Sequence, residues 1–380
     1  MSAEIALDPA LARGGRLAKV RDRLRELGLD VLCCSLGADI PWLTGYEAMP
    51  LERLTMLVVP ADDEATLVVP VLEAPRVRHD PRLFRMAPWG ETTSPIDLVA
   101  GLVGGRTRCA ISDRCWAAPL LSLQAALPKA TFVAASAVTG PLRAVKDSQE
   151  IAALKAAGAA ADLVADALLG GEIRLIGRSE SEVSAEIGRR LLEAGHAKVN
   201  FAIVGSGPNS ASPHHEPGPR VIGPGEVVVC DFGGVLHLDP DDVGYCSDTT
   251  RTVVTGTPDP AFAELYAVLE AAQATAVRAA VVGTTCEAVD AAGREVIDAA
   301  GFGEAFIHRI GHGIGLEEHE DPYLVAGNAT ELTAGHAFSI EPGIYLSGRF
   351  GARIEDIVVA TANGPLMCNS SDHSLRVVEL

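Results

Sequence analysis

The stretch VVVCDFGGVLHLDPDDVGYCSDTTRT, Val227 to Thr252, decides how the rest of the chain is read, because it puts two acidic side chains where a folded chain would not ordinarily bury any. Asp231 follows Val227, Val228, Val229 and Cys230. A carboxylate at the end of such a strand-forming run is largely desolvated, which is costly unless a positive partner sits on it. Asp248 closes a second segment, Val243 to Asp248, and Gly233, Gly234 and the Asp239-Pro240-Asp241 turn lie between the two. That is the pattern of an antiparallel pair with a long tip. Two carboxylates side by side need a cation or a shared proton.

The far end of the chain repeats the arrangement. AFSIEPGIYL, Ala337 to Leu346, carries Glu341 in an apolar strand, and GARIEDIVVAT, Gly351 to Thr361, carries Glu355 in the next. Between the pairs lies IHRIGHGIGLEEHEDP, Ile307 to Pro322, where Gly311, Gly313 and Gly315 around His312 let the backbone bend close to whatever the imidazole touches. Carboxylates with one neutral imidazole form a mostly hard ligand set. It suits Mn²⁺, Co²⁺ or Fe²⁺ better than a thiolate-type zinc site would, and the number of carboxylates suggests two ions sharing bridging oxygens.

Taken in order, these motifs resemble those of the pita-bread metallopeptidases, the group that holds methionine aminopeptidase, aminopeptidase P and prolidase. The resemblance rests on PHH at His214, DFGG at Asp231, GYCSDTTRT at Asp248, HRIGHGIGLEEHEDP at His312, SIEPGIY at Glu341 and RIED at Glu355, and an ordered set is far more specific than any one motif. It covers Pro141 to the C-terminus. An N-terminal region leading in through PLRAVKDSQEIAAL narrows it to the Xaa-Pro peptidase branch, since methionine aminopeptidases usually lack that domain. The resemblance implies a creatinase/prolidase-type α/β domain over 1–140 and an α+β pita-bread (creatinase/aminopeptidase) catalytic domain over 141–380.

Roles follow from the resemblance residue by residue. Asp231 is expected as a terminal ligand of one metal, His312 and Glu341 as terminal ligands of the other, and Asp248 and Glu355 as bridging carboxylates. The cofactor is expected to be two divalent ions, Mn²⁺ first, with Co²⁺, Fe²⁺ and Zn²⁺ as alternatives. A water held between two such ions loses a proton near neutral pH and becomes the nucleophile. Glu341 is the expected acceptor of its second proton. His214 and His319 match the family's active-site histidines that are not ligands, and are expected to position the scissile carbonyl and stabilise the tetrahedral intermediate. His215, in the Pro/Ser-rich loop ASPHHEPGP, reads as a surface residue. Arg353, two residues before Glu355, is expected on the same strand face, pairing with a ligand or binding a substrate carboxylate. His308 and His312 are four apart, but Arg309 and the glycines rule out the HExxH helix of a zincin.

The implied function is hydrolysis of Xaa-Pro bonds, with Xaa-Pro dipeptides favoured. The alternatives are an Xaa-Pro aminopeptidase of the aminopeptidase P kind, a non-peptide hydrolase or lyase on the same fold, and a metal-free binding module. Small proline-containing peptides are the expected substrates and a homodimer the expected assembly.

Composition agrees. The chain has 380 residues, 48% of them hydrophobic, and a net charge of -19, which fits a globular enzyme of two or three domains and disfavours nucleic acid and anionic membranes as partners. The N-terminal MSAEIALDPALARGG lacks an apolar stretch of signal-peptide length, and Glu264, Glu270, Gln273 and Arg278 interrupt the Ala-rich Ala261 to Val282, so a cytoplasmic location is expected. Eight cysteines without CxxC spacing read as small buried hydrophobes, Cys230 and Cys246 near the metal included.

The periodicity predicts a helix through Leu17, Val20, Leu24 and Leu27 ending at Gly28, and strands at Leu29 to Cys34, Leu54 to Val59, Thr66 to Val69, Arg108 to Ser112 and Thr131 to Ala134. Capping boxes are expected at Asp147 with Glu150, Ser179 with Glu182 and Thr284 with Glu287. Each is expected to open a helix covering a sheet, in two halves that each carry a carboxylate-bearing hairpin. One departure stands out: Asp231 and Asp248 are 17 residues apart, where the family pattern is about 11. The extra length is read as a longer hairpin tip, the alternative being that His237, Asp239, Asp241 or Asp242 reaches the active site.

Overall fold

The computed structural model describes residues 9–239 and 242–378, and the chain divides into two compact units, Met1–Arg143 and Ala144–Leu380.

In the first unit, α1 (Pro9–Glu26) presents Leu17, Val20 and Leu24 as a buried stripe, and the chain turns out of it at Gly28, φ +61. There follow β1 (Val31–Cys34), α2 (Asp39–Thr44), β2 (Met56–Pro60), β3 (Ala65–Pro70), β4 (Phe84–Trp89), α3 (Pro95–Val103), β5 (Arg108–Ile111), α4 (Ala117–Ala126), β6 (Thr131–Ala134) and α5 (Ser136–Ala144). They build one mixed sheet of order β4-β3-β2-β1-β5-β6. β2 and β3 pair antiparallel across the Ala61-Asp62-Asp63 turn, whereas β1, β5 and β6 run parallel. The strand β4, not anticipated from sequence, is an edge strand that tolerates Pro88, a residue sequence reading takes as a breaker.

The second unit is built from α6 (Ser148–Leu169), α7 (Glu180–Glu193), β7 (His196–Ser206), β8 (Val227–Leu236), β9 (Tyr245–Val254), α8 (Pro260–Ala279), α9 (Cys286–Ala299), β10 (Gly311–Gly313), β11 (Glu320–Leu324), β12 (Ala337–Ile340), β13 (Gly343–Leu346), β14 (Phe350–Arg353), β15 (Asp356–Thr361), β16 (Gly364–Met367) and β17 (Arg376–Val377). Asp147 with Glu150 and Ser179 with Glu182 form complete capping boxes at α6 and α7. The third start is displaced by one residue: Thr285, not Thr284, caps α9 through Ala288 N. The box cannot close because Ala288 occupies N3, and Glu287 instead accepts from Gly327 N.

One sheet has the order β17-β9-β8-β7, another β11-β10-β12-β15-β16, and β13 and β14 form a separate ribbon. Val164, Leu168, Val183, Ile187 and Leu191 of α6 and α7 pack on Val204, Val228, Cys230, Phe232 and Val253 of the first sheet. Phe262, Leu265, Leu269, Val289 and Ile297 of α8 and α9 pack in the same way on Phe338, Ile340, Ile354 and Val358. A strand whose even positions, Cys230 and Phe232, face a core turns its odd ones, Asp231 and Gly233, to the other side. Among the described residues no helix is long and apolar enough to cross a membrane.

Candidate metal centre

The register of β8 with β9 places the first two carboxylates. Asp231 lies opposite Thr250 and Asp248 opposite Gly233, with no slip along the paired ladder from Val227–Val254 to Leu236–Tyr245. Since side chains alternate, Asp231 and Asp248 share one face as diagonal neighbours. Gly233 matters by what it lacks: a Cβ there would drive into the Ser247 carbonyl and the Phe201 ring.

The second pair is placed differently from the expected hairpin. Glu341 sits in the break between β12 and β13, its N–H donating to Ile310 O, and Glu355 sits in the break between β14 and β15, donating to Thr250 O. Regular strands would send alternate residues to opposite faces; the breaks free both carboxylates to turn inward. Thr250 Oγ1 donates to Glu355 Oε2 at 2.7 Å, and Thr252 Oγ1 exchanges hydrogen bonds with the backbone of Arg353, joining β9 to the end of the β13–β14 ribbon and the break after it.

His312 lies on β10 between Gly311 and Gly313. Neither glycine has positive φ, so the expectation that they bend the chain is replaced by a steric one: a Cβ on either would collide with the backbone of Ser339 or of Asp321 on the flanking strands. The Gly313 carbonyl, which can only accept, takes the His312 Nδ1 proton at 3.1 Å, and Nε2 faces the carboxylates. Nε2 stands 3.2 Å from Glu341, 3.7 Å from Asp248 and 4.0 Å from Glu355.

The electrostatics are those of an uncompensated cluster. Burial, then Glu355, Asp231 and Glu341, push Asp248 well above the usual carboxylate range, and burial followed by Glu341 and Asp231 does the same to Glu355. Burial also raises Asp231, with Arg353 pulling it back. Burial pushes Glu341 up too, but the hydrogen bond and charge of His312 outweigh it and hold this carboxyl down at about 2.

The residues fit divalent cations. Single ligand atoms of Asp248, His312 and Glu355 lie within 4.8 Å of one another. Asp231 Oδ2 is held by Arg353 Nη2 at 2.5 Å while its buried Oδ1 has no hydrogen-bond partner among the described residues, an orphaned acceptor at the cluster.

A cavity of about 680 Å³ opens over this group. Asp231, Asp248, His312, Glu341, Arg353 and Glu355 form part of its lining, His214 and His319 stand exposed within it, and Phe201, Ile203, Pro213 and Val325 supply apolar wall. The His319 ring lies 4.0 Å from that of His312. Arg353 is not on a strand with Glu355, as its spacing predicts, but ends β14; its donors go to Asp231, Thr250 Oγ1, Tyr345 OH and Pro213 O.

Sequence reading missed a second tier. Tyr345 OH receives from Arg353 at 2.8 Å and donates to His308 Nε2 at 3.0 Å, and His308 Nδ1 donates to Arg309 O. Burial raises the Tyr345 hydroxyl to about 12, so it keeps its proton. Phe201 and Ile203 of β7, Arg309 and Glu318 line the cavity without having been singled out; their only signal is proximity in sequence or on a strand face. His215 is not the surface residue its loop suggested, since its Nε2 is 2.8 Å from the fully buried Glu180. Cys230 and Cys246 turn into apolar clusters, and neither lines the cavity. The extra length between Asp231 and Asp248 falls beyond Leu236 and Tyr245; His237, Asp239 and Asp242 do not line the cavity, and Asp241 lies outside the described residues.

Comparison with known proteins gives the same picture. Residues 152–362 match metallopeptidase family M24, and residues 16–145 match the creatinase/prolidase N-terminal domain. The probable dipeptidase PepE of Mycobacterium tuberculosis is 42% identical over 367 residues, spanning 96% of each chain. The Xaa-Pro dipeptidase of Lactobacillus helveticus is 34% identical over 375 residues, 96% of this chain and 99% of that one. The crystal structure of dipeptidase PepE from Mycobacterium ulcerans superposes with a TM-score of 0.91 at 42% identity, covering 98% of this chain and 99% of the other. A cluster built for divalent cations, on a scaffold shared over nearly its whole length with these peptidases, makes this chain a member of metallopeptidase family M24.

Proposed function

We propose that the protein is a dinuclear metal-dependent Xaa-Pro dipeptidase, with residues 1–140 as its creatinase/prolidase-type domain and 141–380 as its catalytic domain. The observation that carries the metal reading is the convergence of Asp231, Asp248, Glu341 and Glu355 on His312 Nε2, with Asp231 Oδ1 left unpaired. The dipeptide preference is supported by relatives named dipeptidase and Xaa-Pro dipeptidase that match over nearly the whole chain.

In this reading Asp231 would serve one ion, His312 and Glu341 the other, and Asp248 and Glu355 both. Mn²⁺ heads the order of preference because the donors are mostly hard oxygens. Bound divalent ions supply Lewis-acid polarisation and bring the acidity of water near neutral pH. The chain's own residues do the rest. Glu341, whose Oε1 receives from Ser339 Oγ, takes a proton from the attacking water. His214 and His319 stand over the cluster to hold the scissile carbonyl and stabilise the charge that develops on it. Arg353 holds Asp231 by its Oδ2 and aims it, while the apolar wall of Phe201, Ile203 and Val325 excludes water from the bound peptide. A homodimer in the cytoplasm completes the proposal.

The test is hydrolysis of Ala-Pro and Ala-Pro-Ala by metal-stripped protein with Mn²⁺, Co²⁺ or nothing added. Cleavage of the dipeptide alone, and only with metal, is expected. Cleavage of the tripeptide moves the assignment to an Xaa-Pro aminopeptidase, and no cleavage by metal-loaded protein moves it to a non-peptide hydrolase or lyase.

A further inference from the structure

Away from the cation cluster, the second unit buries another carboxylate completely. Glu180, at the first position of α7, has no exposed surface. Its Oε1 accepts from Ser206 N at 2.8 Å, Ser206 Oγ at 2.7 Å and Asn209 Nδ2 at 3.0 Å; its Oε2 accepts from His215 Nε2 at 2.8 Å, Asn209 Nδ2 at 3.2 Å and, more weakly, Gly218 N at 3.4 Å. Burial works against the charge, but the hydrogen bonds from Ser206, His215 and Asn209 outweigh it and hold the carboxyl below its usual range. A buried anion is a poor stabilising device, since an apolar residue of the same shape usually does as well. What this one does that an apolar residue cannot is bind two separated stretches of chain at once.

Those stretches are the two arms of the loop that joins β7 to β8. Ser206 and Asn209 belong to the outgoing arm, His215 and Gly218 to the returning one, and Pro213 and His214 sit between them, lining the cavity. The backbone repeats the grip, with Glu180 N donating to Arg220 O and Ser181 N to Gly218 O. Arg220 Nη1 donates to Ser206 Oγ from the far side, and Ser210 Oγ accepts from Gly351 N on β14. His214 itself is solvent-exposed. Its place over the cluster is set by its neighbours, and the neighbour next in sequence is tethered to Glu180.

We infer that Glu180, acting through His215, is a positioning residue that clamps the two arms of the 206–220 loop and thereby fixes the His214 ring in the cavity. The inference rests on the catalytic role of His214 in the peptidase reading. It predicts that the pair Glu180 and His215 affects turnover only through His214. Gln at 180 keeps the size of the side chain but puts an amide N–H against donors on one arm, so one side of the clamp opens.

The test is a double-mutant cycle on metal-loaded protein. E180Q is expected to lower kcat about 10- to 100-fold, the scale for a displaced catalytic group, with KM and bound metal close to those of the parent. In the H214A background E180Q is expected to add almost nothing. Multiplicative losses in that background, or full kcat in E180Q, overturn the inference. Should E180Q fail to fold, H215A opens the same contact from the loop side and is judged by the same cycle. The imidazole NMR of metal-free protein separates this inference from the peptidase reading. Loss of the His215 Nε2–H signal in E180Q with a shift of the His214 ring signals supports the clamp whatever the substrate is. Loss of the former with no change at His214 overturns it.

Discussion

Asp231 shows what one residue states about the whole site. One of its oxygens is satisfied by Arg353 and the other, buried, by nothing among the described residues, which leaves it open to a cation. Asp248 and Glu355 say the same, each raised by burial and then by its charged neighbours. Replacing Asp248 or Glu355 by Ala is expected to cut kcat/KM by at least about 10²–10³-fold, because two cations lose a shared anion, and to lower the bound metal measured by elemental analysis; full turnover in either variant refutes the bridging assignment. His336 carries a pH dependence. Burial, with Lys146 adding to it, brings its pKa down to about 4, and Thr333 N donates to its Nδ1, which must be unprotonated. In the unfolded chain the ring titrates near its ordinary value of about 6.5. The stability His336 contributes is therefore complete above pH about 6.5 and is lost as pH falls through about 4. Urea midpoints between pH 7.5 and 4.5 are expected to fall less steeply in His336→Gln than in the parent. The acidic residues were legible because each interrupts an apolar run. Thr250, Tyr345 and His308 were not, because hydroxyls and a neutral imidazole acquire meaning only from partners far away in sequence.

At the level of elements, the antiparallel pair β8–β9 was readable from its alternation and glycines. Of the breaks that aim Glu341 and Glu355, the first is signalled by Pro342-Gly343 in AFSIEPGIYL, a breaker that reading the segment as one strand overlooks, whereas GARIEDIVVAT carries none at Glu355 and only pairing decides where its strand stops. Helix starts were legible to within a residue, the slip at α9 arising because Thr284 and Thr285 are both competent caps. Helix interiors hold less obvious constraints. Gly158, in the middle of α6, looks like a position that Ala should improve by about 1 kcal/mol. A Cβ there would meet the backbone carbonyl of Cys368 well inside contact distance. Gly158→Ala is therefore expected to destabilise by about 1–3 kcal/mol, read from urea denaturation. Arg251 of β9 is fully buried against Asp356 of β15 at 2.7 Å, and its Nη1 also donates to Glu355 O. Arg251→Met is expected to cost about 1–3 kcal/mol, since Asp356 loses the guanidinium but keeps Gln273 and His373 as partners, with a fall in metal content as the Glu355 backbone loosens.

Over the whole molecule, the proposed ligand positions 231, 248, 312, 341 and 355 come from β8, β9, β10 and the breaks after β12 and β14, so cations held there would join five separated segments of the chain. Adding Mn²⁺ to stripped protein is expected to raise Tm, by an amount equivalent to about 2.7 kcal/mol at a hundredfold excess over Kd, and EDTA to reverse it; an unchanged Tm argues against metal binding at the cluster. The architecture of this unit was legible because its motifs are ordered and chemically constrained. In the first unit the central strands were legible and the edge strand β4 was not, for it carries Pro88 and little continuous apolar surface. The hairpin tip has a further consequence. Pairing ends at Leu236 and Tyr245, so the number of residues beyond that point is uncoupled from where Asp231 and Asp248 stand. That makes the tip a tolerant splice point, where related genes can gain or lose codons without retuning the chemistry and where an affinity peptide inserted after Leu238 leaves the enzyme intact.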